Sequence, residues 1–329
     1  MCRRQLEVEA SANECQALNR RQRVAYLITV HDTRAKQLSA AALRETSAGL
    51  AQLELMLKLL WSADDWFALH VEPTASLAYR SAVEGIAQEW AAFGNVFLVA
   101  DADRVVWSGA SVVDTIVRSL RELLRFEWDL FINLSGADFP IKSHADRRAA
   151  LQFLLEHNTI WGNYVAAVDD GARKILEEHV RDTVAECRGK VEDVFKYDRT
   201  DKLPFDALAT AHLWMVLERQ FCEYLATDAR AAALRRFFRL TRVPDEKYFL
   251  TTLLDSPRFR HTWLRSQTRY MQWIDGANHP VTLRNDAENK TFSTLLQQTD
   301  RLFARKFSYT KSRNLLARLF AELSHFEQR

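Results

Sequence analysis

Apolar residues along this chain fall into short continuous runs that alternate with longer stretches of helical spacing. Val24-Ala25-Tyr26-Leu27-Ile28-Thr29-Val30 reads as a buried strand closed by His31-Asp32. Residues from about Ala35 to Trp61 carry Leu50, Leu53, Leu57 and Leu60 at helical spacing. Trp66 to Val71 predicts a second strand, followed by a helix to about Ala92. Val96 to Val99 predicts a third strand, and residues 112–126 a helix with Val113, Ile116, Leu120 and Leu123 on one face. Asp129-Leu130-Phe131-Ile132-Asn133-Leu134-Ser135 is the fourth strand, breaking into Gly136-Ala137-Asp138-Phe139-Pro140. Strands alternating with helices predict an α/β fold with a mostly parallel, doubly wound sheet flanked by helices. Ligand sites in such sheets lie at the carboxyl ends of the strands, where this run places its small and acidic residues.

Beyond about residue 145 the pattern predicts a helix-rich half. Residues 171–190 read as a charged helix and Lys190 to Pro204 as a polar connection. Trp214 to Leu217 reads as a short strand, Gln220 to Leu240 as helical, and Val243-Pro244-Asp245-Glu246 as the opening of another helix. The expected organisation is a polar lead-in at 1–22 and a single domain at 23–310. Within it, residues 23–145 have the topology of a nucleotide-binding half and 146–310 form the second half. Residues 311–329 form an amphipathic tail.

The 329 residues are 48% hydrophobic and 27% charged, ordinary values for a folded protein. A net charge of +2 gives no nucleic-acid footprint. Nine glycines form neither a dinucleotide fingerprint nor a P-loop. Cys2, Cys15, Cys187 and Cys222 lie too far apart for a metal motif or a dense disulfide framework. Met1 to Gln22 has no apolar core of signal-peptide length, and no window reaches the length of a membrane span.

Several short patterns carry candidate chemistry. Asp245-Glu246 is either a favourable pair of carboxylates at a helix start or a general base for an acceptor hydroxyl. Arg305-Lys306, between Phe303 and Phe307, is either a solvated turn of an amphipathic helix or a clamp for a leaving diphosphate. Asp101-Ala102-Asp103 follows a strand, where a divalent metal could sit or a loop be solvated. His31 and His70 fall at strand ends, where a hydrogen-bonded structural role is the ordinary reading.

Read together and in order, several segments resemble the core-2/I-branching and peptide O-xylosyltransferase family of inverting glycosyltransferases. They are Val24 to His31, Asp64 to Glu72, Trp107-Ser108-Gly109-Ala110-Ser111, Phe131 to Ser143, Trp214 to Tyr224, Val243 to Glu246, Leu253 to Pro257, and Phe303 to Phe307. The xylosyltransferase branch is the more similar. The resemblance implies a GT-A-like fold and metal-independent transfer of a sugar from UDP-xylose or UDP-GlcNAc to a protein serine or a glycan, without a cofactor. It implies Glu246 as the catalytic base, and Val30, Glu72, Trp107, Gly109, Asp138, Arg305 and Lys306 as donor-binding residues. With Arg305 and Lys306 neutralising the diphosphate, Asp101 and Asp103 are not needed as metal ligands. A Golgi or secretory lumen is implied as the location. A UDP-sugar-binding protein that has lost catalysis is the other class considered. It is motivated by Leu213 and Asp275, which stand where the xylosyltransferases carry, respectively, a sugar-contacting Asp and one residue of a basic pair.

Overall fold

A computed structural model describes residues 22–31, 40–167, 182–196, 203–277 and 279–327. Its central sheet has seven strands in the order β10-β6-β9-β4-β1-β2-β3. These are β1 (Val24–Val30), β2 (Trp66–Val71), β3 (Val96–Leu98), β4 (Leu130–Ser135), β6 (Asn158–Ala167), β9 (Ala207–Glu218) and β10 (Trp263–Leu264). β1 runs parallel to both β2 and β4, and β2 parallel to β3. β9 pairs antiparallel with both β4 and β6. The mostly parallel sheet flanked by helices is the architecture the pattern predicts.

Both faces of the sheet are covered, which explains the continuous apolar strands. Val24, Tyr26, Ile28 and Val30 point to one core with Phe67, Leu69, Leu130, Ile132 and Leu134. Ala25 and Leu27 point to the other with Ala68 and Phe131. This is the period of two that a strand imposes. The first core is closed by α1 (Ala40–Leu60), α2 (Leu77–Ala91) and α9 (Tyr309–Glu327). The second is closed by α3 (Ser111–Leu123), α5 (Arg219–Thr227), α6 (Ala229–Phe238) and α7 (Tyr248–Asp255). The remaining α-helices among the described residues are α4 (His144–Phe153) and α8 (Lys290–Ser293).

Two further sheets matter for the site. β5 (Asp138–Pro140), β11 (Arg269–Met271) and β12 (Phe303–Arg305) form a small three-stranded sheet with β12 in the centre. β7 (Asp182–Cys187) and β8 (Lys190–Lys196) form a separate hairpin.

The structure corrects several expectations. The stretch after residue 145 is not helix-rich throughout: beyond the helix His144–Phe153, the described residues from Asn158 to Glu218 lie mostly in β6 to β9, before the helix that begins at Arg219. Residues 182–190, expected to be helical, lie in the hairpin, which also takes up the expected connection as far as Lys196; 171–181 lie outside the described residues. Leu302 to Phe307 is not a helical turn, since Phe303–Arg305 is the central strand of the small sheet. The larger part of the expected tail is α9, whose Leu315, Leu316, Leu319 and Leu323 are buried in the first core.

Candidate active site

The carboxyl ends of β1, β2 and β4 converge, because β1 lies between the other two and the three are parallel. The chain winds from β1 toward β2 and β3 and then returns to β4 on the opposite side of β1, the kind of crossover beside which open α/β sheets form a ligand crevice. Val30 and Glu72 meet here: the Val30 carbonyl accepts the Glu72 N–H at 3.0 Å. Gly136 donates its N–H to the Thr29 carbonyl at 2.9 Å, while Gln52 Nε2 donates to the Gly136 carbonyl at 2.8 Å. The Glu72 carboxylate takes the Val105 N–H at 2.8 Å and the Thr74 hydroxyl at 2.9 Å, fixing the loop beyond β3.

Asp101 is exposed, with a left-handed backbone (φ 46°), and Asp103 and His70 are held by other partners. The Asp103 carboxylate pairs with Arg118 at 2.7 Å, and its carbonyl lies 3.1 Å from His70 Nε2. His70 is buried, which holds its pKa below the usual histidine value. His31 is exposed just beyond β1. Among the described residues, no three His, Cys, Asp or Glu cluster as a metal site.

The small sheet builds a cationic wall. Antiparallel pairing of β12 with β5 sets Arg305 opposite Asp138, and β11 brings in Arg269. Asp138 is fully buried. Its carboxylate accepts the Ser135 N–H at 2.8 Å, the Ser135 hydroxyl at 2.7 Å, Arg269 Nε at 3.1 Å and Arg305 Nη1 at 3.2 Å. Arg269 also donates to the Asn133 carbonyl, and burial pulls its pKa down to about 10 despite Asp138. Trp214 stacks against both guanidiniums, 4.8 Å from Arg269 and 4.2 Å from Arg305. Asp138 therefore orients Arg305 from behind, and a ligand would feel it through that guanidinium. Lys306 is half-buried, and burial together with Arg305 and Lys311 lowers its pKa. His279 is lowered by burial and by the same Lys306 and Arg305.

Glu246 stands on a short 3-10 turn, Pro244–Glu246, between Val243 and α7. Val243 is left-handed (φ 51°), a rare state for a β-branched residue, and its N–H is held by the Ser108 carbonyl at 3.0 Å. Ser108 is itself left-handed at φ 67°. Lys247 lies buried beneath the turn, donating to the carbonyls of Arg242 (3.3 Å) and Val243 (3.2 Å). Burial raises the Glu246 pKa and Lys247 opposes the rise. Asp245 goes higher, to about 7, through burial and the neighbouring Glu246, and its Oδ1 has no hydrogen-bond partner.

One contact path joins the two parts. Ser108 holds the Glu246 turn, and next to it the exposed Trp107 turns its ring edge to His279 at 6.1 Å. His279 in turn feels Lys306 and Arg305. The Glu246 turn is thus hydrogen-bonded to the neighbour of an exposed indole whose ring meets that of His279. Nearby in sequence to the small sheet, Trp273 stacks on His212 at 6.1 Å. Gly109, expected to face a donor, is buried with the Glu186 side chain against it. Sequence reasoning missed Arg269, His279, Lys247 and Glu186, and gave Asn133 no role within its run. Arg269 and Glu186 acquire their places from partners distant in the chain, whereas Lys247 is held by carbonyls four and five residues before it.

The family model described as Core-2/I-Branching enzyme matches residues 41–296. Xylosyltransferase 1 of Canis lupus familiaris is 26% identical over 322 residues, 90% of this chain and 30% of that protein. Xylosyltransferase 2 of Rattus norvegicus is 28% identical over 319 residues, 89% of this chain and 33% of its own length. The chain spans about a third of the length of the curated relatives it matches. Among solved structures, the WbbM bifunctional glycosyltransferase aligns over 68% of this chain and 36% of its own at 12% identity, with a TM-score of 0.31, which carries no argument. No helix among the described residues is long and apolar enough to cross a membrane.

Proposed function

This chain belongs to the Core-2/I-Branching enzyme family, and on that footing we propose that it transfers a sugar from a UDP-sugar to a hydroxyl acceptor with inversion. The Ser108–Val243 hydrogen bond carries the reading, because it ties the Glu246 turn to the residue next to Trp107, whose indole meets His279. Glu246, ionised, takes the proton of the acceptor hydroxyl as its oxygen bonds to the anomeric carbon. The bond from that carbon to the diphosphate oxygen breaks, and the developing charge is met by Arg305 and Lys306. Fixed cations in this position supply what a metal would otherwise provide, so we propose that the reaction needs none.

The relatives' printed name favours xylose as the donor sugar, with a protein serine as acceptor. UDP-GlcNAc with a glycan acceptor is the second reading, favoured by the Pro244-Asp245-Glu246 turn.

UDP release is measured with UDP-xylose, UDP-GlcNAc and UDP-glucuronate, each with a Ser-Gly peptide or a glycan, in chelator and with manganese. Turnover with one donor in chelator is expected. Glu246→Gln should lower kcat by about 10²–10⁴-fold while UDP still binds. Undiminished turnover in that variant removes Glu246 as the base, and a requirement for manganese removes the metal-free mechanism. UDP binding without turnover of any donor would instead mark a non-catalytic UDP-sugar-binding protein.

A further inference from the structure

We infer that Glu186, on the β7–β8 hairpin, is a positioning residue for the transfer site, holding the Trp107–Ser111 turn through a contact that the glycine at 109 makes room for. Its Oε1 accepts the Ser111 N–H at 2.6 Å, which seats a carboxylate on the amino end of the 13-residue α3. The side chain also lies against Gly109. A methyl added there would come within 2.8 Å of Glu186 Cδ and 2.9 Å of Cγ, and the nearest atoms all belong to Glu186. Gly109 does not have a left-handed backbone, so the glycine is needed for space rather than for conformation.

The hairpin bears on the other end of the same loop. Its Gly189 (φ 82°) packs against the Arg104 guanidinium, where a methyl would lie 2.8 Å from Cζ. Arg104 adjoins Val105, whose N–H is held by Glu72. One hairpin therefore braces a loop that touches the Val30–Glu72 edge at its start and, through Ser108 and Val243, the Glu246 turn at its end. An ordinary helix cap would touch only the helix.

The kinetic part of this inference rests on the proposed function; the contact itself does not. Glu186→Ala, Gly109→Ala, the double variant and Glu186→Gln are made in the full chain. Hydrogen exchange at the Ser111 amide is measured without substrate, and kcat/KM with the donor found active. Each alanine variant should speed Ser111 exchange and lower kcat/KM about tenfold, the kinetic equivalent of one charge-assisted hydrogen bond. The double variant should be no worse than either single one, because with Glu186 gone the atoms nearest the new methyl are gone. Glu186→Gln keeps an acceptor oxygen and should stay within about threefold of the parent.

Multiplied losses in the double variant, about a hundredfold, would overturn the contact. Faster exchange with kcat/KM unchanged would overturn the positioning role and leave a plain helix cap. If the parent turns over no donor, the proposed function fails, while the exchange cycle still decides the Glu186–Gly109 contact.

Discussion

Neutralising Asp138 is expected to cost folding stability first and ligand binding second. The carboxylate is fully buried and accepts four hydrogen bonds, two from Ser135 and one each from Arg269 and Arg305. Arg269 is buried as deeply and has no other carboxylate partner among the described residues. Breaking such a pair costs about 3–5 kcal/mol, because the stranded cation keeps its desolvation penalty. The rings of Trp214 and Phe303, 4.8 and 5.5 Å from the Arg269 guanidinium, hold part of that charge, which places Asp138→Asn near the lower bound, about 3 kcal/mol. In scanning calorimetry this is a fall of roughly 4–5 °C in the midpoint for a chain of this length. Adding Arg269→Met removes the stranded charge and should recover much of the loss, so the double variant should be more stable than Asp138→Asn alone. A cost below about 1 kcal/mol for Asp138→Asn, or losses that add in the double variant, would refute this account.

Arg305→Ala and Lys306→Ala should each weaken UDP binding about 10- to 100-fold by titration calorimetry, the equivalent of a charge-assisted contact of about 1.5–3 kcal/mol; equal affinity to the parent at low salt removes the clamp. Since the Lys306 pKa is lowered, that affinity should decline with rising pH earlier than an ordinary lysine allows, and a flat profile up to the ordinary value of 10.5 contradicts it. Asp245, raised from 3.8 to about 7, keeps a proton in the folded state that the unfolded chain releases. Its burial is therefore tolerated at low pH and destabilises progressively as pH climbs to about 7. Asp245→Asn should gain stability over the parent in urea unfolding at pH 8 and little at pH 4; the same gain at both rules out the buried charge as its cause. The raised Glu246 pKa puts the acid limb of kcat/KM above 4.5, and a limb at or below that value contradicts its burial.

Much of the fold was legible because doubly covered parallel strands must be apolar on both faces, and β1, β2 and β4 read within a residue or two of their bounds. The hairpin was not. Asp182–Cys187 and Lys190–Lys196 pair with each other outside the two cores, so their charges suggest a solvated helix as readily as a strand. Phe303–Arg305 is three residues long, and its strand character comes from β5, more than 160 residues earlier. Glu246, Arg305 and Lys306 stood out through resemblance to a family. Arg269 did not, since one arginine flanked by Thr268 and Tyr270 has no meaning until β11 brings it to Asp138.

The small sheet also sets an order of assembly. A ribosome delivers β1, β2 and β4 within the first 135 residues, yet the strand carrying Arg305 follows some 170 residues later. Until β12 slots between β11 and β5, the emerging polypeptide has the strand ends of the proposed donor crevice without Arg305 and Lys306, and Asp138 without one of its two arginines. Truncation of this sequence shortly before Phe303 would leave the seven-stranded sheet encoded in full and remove β12 with the proposed diphosphate clamp. Such a truncation should therefore abolish the proposed transfer as completely as loss of Glu246.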